Sequence, residues 1–374
     1  MALSALFALG ACGAMLFVAG VLHVPINALT AALAALLAVV WARHSCLAPQ
    51  KPARRECLAH IITLIPLAIL LFTAATHPLE DYDGRAFWMF KAKAIAHDHA
   101  VDGPFFHGEE ADAPRNDYPL LLPLDSATIM LLTNSLDDRA ARFIYLAIFI
   151  AFVFTIAEQL GGWWAALLAW IPMFAVAPEG GALSGYADIA LAAFVGGAFF
   201  ELIRAKNPLR FGAWVTFVLL TKREGTPIAL LLLIAGVFVF RRGAVIVFPG
   251  IAFIALAIWK SRIPGGDEEN LFALLPTLPS RLDRLPGAIV GFARHLVTPM
   301  WGLFWIAVLI ALVYKRRELA LPAFIIGGAF AIDLIAYTVT TWVQIDLINS
   351  SADRLLMHVV APALYAMQRS TLKT

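Results

Sequence analysis

Charge is scarce in this chain, and cysteine is scarcer. Of 374 residues only 14% are Asp, Glu, Lys or Arg, and three are cysteine. Cys12 lies in an apolar run and Cys46 and Cys57 in a basic loop, with no Cys-x-x-Cys spacing, so neither a disulfide framework nor a zinc site is supported. The formal net charge of +2 is too small to argue for nucleic acid as a partner. No internal repeat, low-complexity tract or soluble domain stands out. The N-terminus lacks a basic segment ahead of its apolar run, which therefore reads as a retained helix and not a cleaved signal. The faint lipoprotein-like stretch ending at Cys12 is outweighed by the apolar run continuing past it.

What the chain has in abundance is apolar residue. Hydrophobic residues make up 61% and mean hydropathy is +0.80, against about 45–50% apolar in soluble domains. The runs repeatedly reach the roughly 17–25 residues that cross a bilayer as helix, and they lack the alternation of an outer-membrane barrel. An all-α polytopic membrane protein is predicted. Its spans are Leu3 to Val24, Asn27 to Arg43, Leu58 to Thr76, Arg139 to Leu160, Trp163 to Pro178, Tyr186 to Ile203 and Phe211 to Leu220. Pro227 to Phe240, Ala244 to Trp259, Leu296 to Tyr314, Leu321 to Thr340 and Leu355 to Met367 follow, for about twelve crossings in all. The stretches flanking Thr221 to Pro227 are short enough to form a tilted or re-entrant hairpin. The chain divides into N-terminal helices (3–76), a polar loop with interfacial helices (77–138) and the remaining bundle (139–374).

Positive residues set the orientation. The loops holding Arg43 with Lys51, Arg54 and Arg55, then Arg204 with Lys206 and Arg210, then Arg241 and Arg242, then Lys315 to Arg317, should all be cytoplasmic. One threading satisfies all four, provided that Leu120 to Leu132, interrupted by Pro123 and Asp125, lies on the outer surface without crossing. Glu80 to Asp138, Glu179 to Tyr186, Lys222 to Thr226 with Lys260 to His295, and Trp342 to Arg354 then share the outer face. Segments far apart in sequence can thereby build one cavity.

The candidates for chemistry fall in these segments. Asp81 and Asp83 leave a membrane helix and enter an amphipathic helix, Gly84 to His97. Such carboxylates can serve as a general base, bind a divalent cation, or cap the helix. Lys91 and Lys93 cannot share a helix face, while Trp88 lies on the side of Lys91; phosphate binding and interfacial anchoring both suit the pair. Pro119 biases Tyr118 away from helix, making that residue a joint before it is a substrate contact. Asp188 opens an apolar span, where a carboxylate needs a partner, a cap or a job. Lys222 and Arg223 stand outside against the positive-inside bias; they suit an anionic substrate, or an internal ion pair with Glu224 or Asp188. Arg354 could hold a diphosphate or pair with Asp353. Asp333 is expected to face the protein interior, and His23 and Asp125 to be structural.

Asp81-Tyr-Asp83 leading into Trp88 and Lys91-Ala-Lys93, then Asp117-Tyr-Pro119, Gly185-Tyr-Ala-Asp188, Thr221 to Gly225 and Ser351-Ala-Asp353-Arg354, together resemble the GT-C superfamily of integral-membrane glycosyltransferases. That superfamily includes aminoarabinose transferases, protein O-mannosyltransferases and oligosaccharyltransferases, and the resemblance runs from Leu58 onward. It implies a sugar transferred from a polyprenyl-phosphate or polyprenyl-diphosphate donor to a glycan, lipid or protein acceptor, usually with inversion. The site would lie on the outer face of a bacterial cytoplasmic membrane. On this resemblance Asp83 is the first choice for the base and Asp81 the second, and both could instead hold Mg or Mn. Lys222, Arg223 and Arg354 would hold the donor phosphate, with Glu224 beside them. Asp188 would position the acceptor or the base, and Lys91, Trp88 and Tyr118 would line the donor side. Two spans precede the helix that leads into the reactive loop, where many members have one, and no large C-terminal outer domain is expected. The rival reading is a transporter or flippase of lipid-linked sugars, which would gather its charges at mid-depth between inverted repeats.

Overall fold

The computed structural model describes residues 2–45, 57–107, 117–204, 206–263 and 270–371. Lys51, Arg54, Arg55, Cys46 and Asn116 lie outside the described residues. Among those described, every regular element is a helix. The chain runs through α1 (Ala2–Val21), α2 (Ala28–Ser45) and α3 (Cys57–Thr76), then a π-helical turn (Gly84–Met89) continuing into α4 (Phe90–Asp98). Next come α5 (Leu121–Thr133), α6 (Asp138–Leu160), α7 (Gly162–Trp170), α8 (Pro172–Ala175) and α9 (Asp188–Arg204). Then follow α10 (Pro208–Thr221), α11 (Gly225–Phe240), α12 (Val247–Arg262), α13 (Leu271–Leu274) and α14 (Leu285–His295). The chain closes with α15 (Phe304–Tyr314), α16 (Ala320–Val339), α17 (Gln344–Met357) and α18 (Val360–Thr371).

Five stretches, Ala2–Val21, Leu58–Thr76, Asp138–Leu160, Gly243–Arg262 and Ala320–Val339, are long and apolar enough to cross a membrane. Three expected spans are broken. Pro172 lacks the amide that would continue α7, so Trp163 to Pro178 splits into α7 and α8. Leu296 to Tyr314 is regular α-helix only from Phe304, and the final run divides between α17 and α18 at His358 and Val359. The 11 residues of α15 rise about 16 Å, well short of a hydrocarbon core.

Local chemistry sets the ends and repairs the breaks. Asp137 accepts from the Arg139 amide and Asn207 from the Arg210 amide, capping α6 and α10. Pro66 inside α3 cannot donate to the Ile62 carbonyl, and the Trp170 indole donates to it instead at 2.9 Å. The last turn of α16 is closed by Arg281, which donates to the Thr340 carbonyl at 2.7 Å.

At the centre stands α9, buried from Asp188 through Leu202 and packed by α6, α10, α11, α17 and α18. The outside is apolar: Phe72, Phe238, Ile254 and Val313 are among many large side chains exposed there, a surface suited to lipid. The helices have two distinct ends. Ala2 donates to Glu158, Arg204 bonds Gln159, Arg210 bonds Glu201 and Lys315 donates to the Arg369 carbonyl, so the basic turns cluster at one end. The helices leaving these turns carry Lys222, Lys260 and Asp333 toward the other, where Arg354 of α17 lines the same cavity.

Two interfacial placements are corrected. Leu120 to Leu132 forms α5, but it does not lie on the outer surface: Leu121, Leu122, Leu124 and Ala127 are fully enclosed, with α1, α2, α4 and α6 packed around the helix. Asp125, Ser126 and Thr128 are turned into the protein as well, so the helix has no polar face to offer water. Gly84 to His97 is helical as expected, yet Trp88, Lys91 and Ile95 turn into the protein, not toward a membrane surface. Buried α5 predicts that Leu124→Ala will cost about 2–5 kcal/mol in thermal unfolding of the detergent-solubilised protein. A surface helix would lose under about 0.5 kcal/mol.

Candidate functional site

Asp83 reaches its place through a close loop contact. The Gly84 Cα packs against the Ser184 carbonyl and Gly185, where any Cβ would overlap that carbonyl, and Gly185 itself has φ +73°. Arg142 on α6 ties both loops together, donating to the His77 carbonyl at 2.6 Å and the Leu183 carbonyl at 3.2 Å. Asp83 makes no side-chain cap for the helix that follows, so the capping alternative is not the one adopted. Its carboxylate instead lies 3.9 Å from the Arg354 guanidinium.

Asp188 is the hub beneath. Its side chain is fully buried; Oδ1 accepts from Lys222 Nζ at 3.0 Å and sits 3.1 Å from His358 Nε2, while Oδ2 is 3.9 Å from Arg354. Lys222 also lies 3.2 Å from Glu224, so the internal ion pair is realised with both suggested partners. Burial pushes the Glu224 carboxyl up, but the Lys222 ammonium outweighs it and holds the group below its ordinary value. Arg354 does not pair with Asp353, which accepts from Thr298 at 3.0 Å and faces His295 at 3.2 Å. Arg354 lies over the Tyr186 ring and donates to the Ser350 carbonyl at 2.9 Å.

A second hub forms at Asp117. Arg223 donates to both its oxygens at 2.7 Å and Lys260 to one at 3.1 Å. Burial alone would raise the Asp117 carboxyl, yet these two cations outweigh it and hold the group below the usual carboxylate range. Tyr118 is sandwiched between Arg223 and Lys91, its ring centroid 5.1 Å and 5.8 Å from their charged groups, with Trp88 alongside.

Both hubs border one cavity of about 620 Å³. Asp83, Lys222, Arg223, Glu224, Arg354, Trp88 and Tyr118 all line it. Three expected site residues do not. Asp188 lies below the lining, Lys91 sits behind Tyr118 and not at an entrance, and Asp81 is not among the lining residues. Burial raises the Asp81 carboxyl, against the opposing pull of Arg142. Among the described residues no group of three or more His, Cys, Asp or Glu is placed to hold a metal.

Sequence reasoning missed Lys260, His358, Tyr186 and Tyr337; Asp333 faces the interior as expected, and there it joins the cavity wall. An ionisable residue in each apolar run was the available signal for His358 and Asp333. For Lys260 there was none, since its partner Asp117 is 143 positions away. Comparisons with protein-family models, with curated proteins and with solved structures return no match to this chain.

Because folding lowers the Asp117 value, its stabilisation is complete above the ordinary carboxylate range near ~pH 4 and is lost as pH falls through the lower folded value. Asp117→Asn is expected to destabilise by about 3 kcal/mol at pH 7, because two cations lose their counter-charge. In pH-dependent melting the gap to wild type should hold through pH 5 and shrink below about pH 4. A gap that stays constant down to pH 3 would show that Asp117 is not ion-paired.

Proposed function

We propose that this protein is a membrane glycosyltransferase, moving a sugar from a polyprenyl-(di)phosphate-linked donor to an acceptor on the outer face of the bacterial cytoplasmic membrane. The observation that carries the reading is the charge layout of one cavity: the Asp83 carboxylate on one side, a cation-rich hub on another, and an apolar wall between helices. Phe253, Phe272 and Trp342 line that wall and are also exposed on the outer surface, giving a prenyl chain a path from lipid into the cavity.

The charge balance revises which cations meet the phosphate. Lys222 and Arg354 face three carboxylates, Asp83, Asp188 and Glu224, so their charge is already consumed. Arg223 and Lys260 line the cavity side by side, and both pair with Asp117. Two neighbouring cations at the cavity wall are where an anionic leaving group is best met.

In the proposed reaction the acceptor hydroxyl gives its proton to Asp83 as its oxygen attacks the anomeric carbon. The bond from that carbon to the phosphate oxygen breaks, and its electron pair departs with the lipid phosphate toward Arg223 and Lys260. A single displacement inverts the anomeric centre. Arg354 and Asp188 act as positioning residues, holding Asp83 against the cavity.

With radiolabelled polyprenyl-phosphate sugars and the protein in nanodiscs, Asp83→Asn should lower turnover by about 100-fold or more with little change in donor KM. Arg223→Ala and Lys260→Ala should raise donor KM. An Asp83→Asn protein with full turnover would reject the assignment, and donor carried across the bilayer uncleaved would support transport instead. Orientation has its own test, in a background with Cys46 and Cys57 replaced by serine. Arg85→Cys should react with an impermeant maleimide on intact cells and Arg317→Cys should not. The reverse pattern would place the cavity on the cytoplasmic side.

A further inference from the structure

One part of the cavity wall holds two carboxyl groups, Asp333 and Glu224, with the single ammonium of Lys222 paired to the second. Asp333, from α16, lines the cavity and is 9% exposed, yet among the described residues it makes no hydrogen bond or ion pair. The other charge acting on it is the like-signed Glu224. Glu224 has one oxygen 3.2 Å from Lys222, while its second oxygen is buried without a hydrogen-bond partner. Lys222 cannot neutralise both, because it is already bonded to Asp188 at 3.0 Å. Beside Asp333, the Tyr337 and Ser351 hydroxyls lie 2.9 Å apart, and both residues line the cavity.

An enclosed carboxyl group that lines a cavity with no cation beside it, as Asp333 does, is costly as an anion and well placed to pair with something positive that enters that space. We infer that the pocket between Asp333 and Glu224 receives a primary ammonium group of the substrate. The Tyr337 and Ser351 hydroxyls are placed to take the ammonium protons that the carboxylates leave over. An ammonium offers three donors and no acceptor, which matches a site made of carboxylate and hydroxyl oxygens. The cavity then offers both cations, Arg223 and Lys260, and carboxyl groups, Asp333 and Glu224, to one ligand. It suits a ligand pair carrying phosphate at one end and amine at the other. The amine can come from an amino sugar on the lipid carrier or from the head group of an aminophospholipid acceptor. This inference rests on the reading of the cavity as the chamber where donor and acceptor meet.

The test compares each amine with its acetylated form, on the whole chain in nanodiscs, with bound lipid counted by native mass spectrometry. One arm uses a polyprenyl-phosphate amino sugar against its N-acetyl counterpart. The other uses phosphatidylethanolamine against N-acetyl-phosphatidylethanolamine. At least one arm should favour the free amine by about tenfold or more, the scale of one charged hydrogen bond, and Asp333→Asn should abolish that preference. The arm that discriminates identifies the source of the amine. Equal binding within both pairs overturns the inference, as does a preference that survives in Asp333→Asn. The wild-type comparison stands by itself should the variant fail to fold. If neither polyprenyl-phosphate form binds, the donor reading fails and the phospholipid arm still decides the ammonium site. If both forms bind equally and the phospholipids do not discriminate, the donor reading survives and the ammonium site does not.

Discussion

One buried carboxylate, Asp188, holds the cavity end together. Removing a charge from water costs several kcal/mol, and the cost is offset only where opposite charges and hydrogen bonds are supplied in good geometry. Here they come from separate parts of the chain: Lys222 from the turn after α10, Arg354 from α17, and His358 from the break between α17 and α18. The first residue of the central helix is thereby tied to the two segments that close the bundle. Losing one partner leaves the others buried without balance, a penalty of about 3–5 kcal/mol, so the cluster holds or fails as a unit. Asp83 depends on it at one remove, through Arg354.

The same constraint separates charges that look alike in sequence. Lys222 and Arg223 are neighbours, but Lys222 follows α10 in an extended conformation and turns inward to Asp188, while Arg223 turns outward to Asp117. Asp81 and Asp83 part in a similar way. Asp83 faces Arg354 across the cavity, and the closest influence of opposite sign on Asp81 is Arg142, the residue that braces the loops. Spacing in sequence brought the right segments forward, and the local backbone decided which member of each pair faces the cavity.

Much of this arrangement was legible beforehand because positive residues and apolar length are properties of single segments. The basic turns around Arg204, Arg241 and Lys315 fixed which ends lie together, and Asp83, Arg223, Glu224 and Arg354 followed onto one cavity. The failures concern properties that no segment owns. Whether α5 is a surface helix or a core helix depends on what packs around it, and the count of crossings that put it on the outer surface says nothing of that packing. Lys260 gains its meaning only from Asp117, and His358 only from the helix break that turns it toward Asp188. Pro172 was visible, but the consequence of its missing amide for a single crossing was not drawn.

The segregation of charge within the cavity follows from that packing and constrains any ligand. A cavity lined only by matched ion pairs would offer nothing to a charged molecule, since each new contact would have to break an old one. This one is matched at Asp188, whereas Asp333 has no cation partner among the described residues. Asp333 sits at the wall while Asp188 lies beneath it, so entry of a ligand need not disturb the centre of the cluster that holds the helices. Apolar walls such as Phe253, Leu256 and Leu274 screen charge less than bulk water does, which strengthens the pull of a charged wall group on a ligand of opposite sign. Stability and recognition are thus carried by different members of one charged network, with Arg354 the residue that belongs to both.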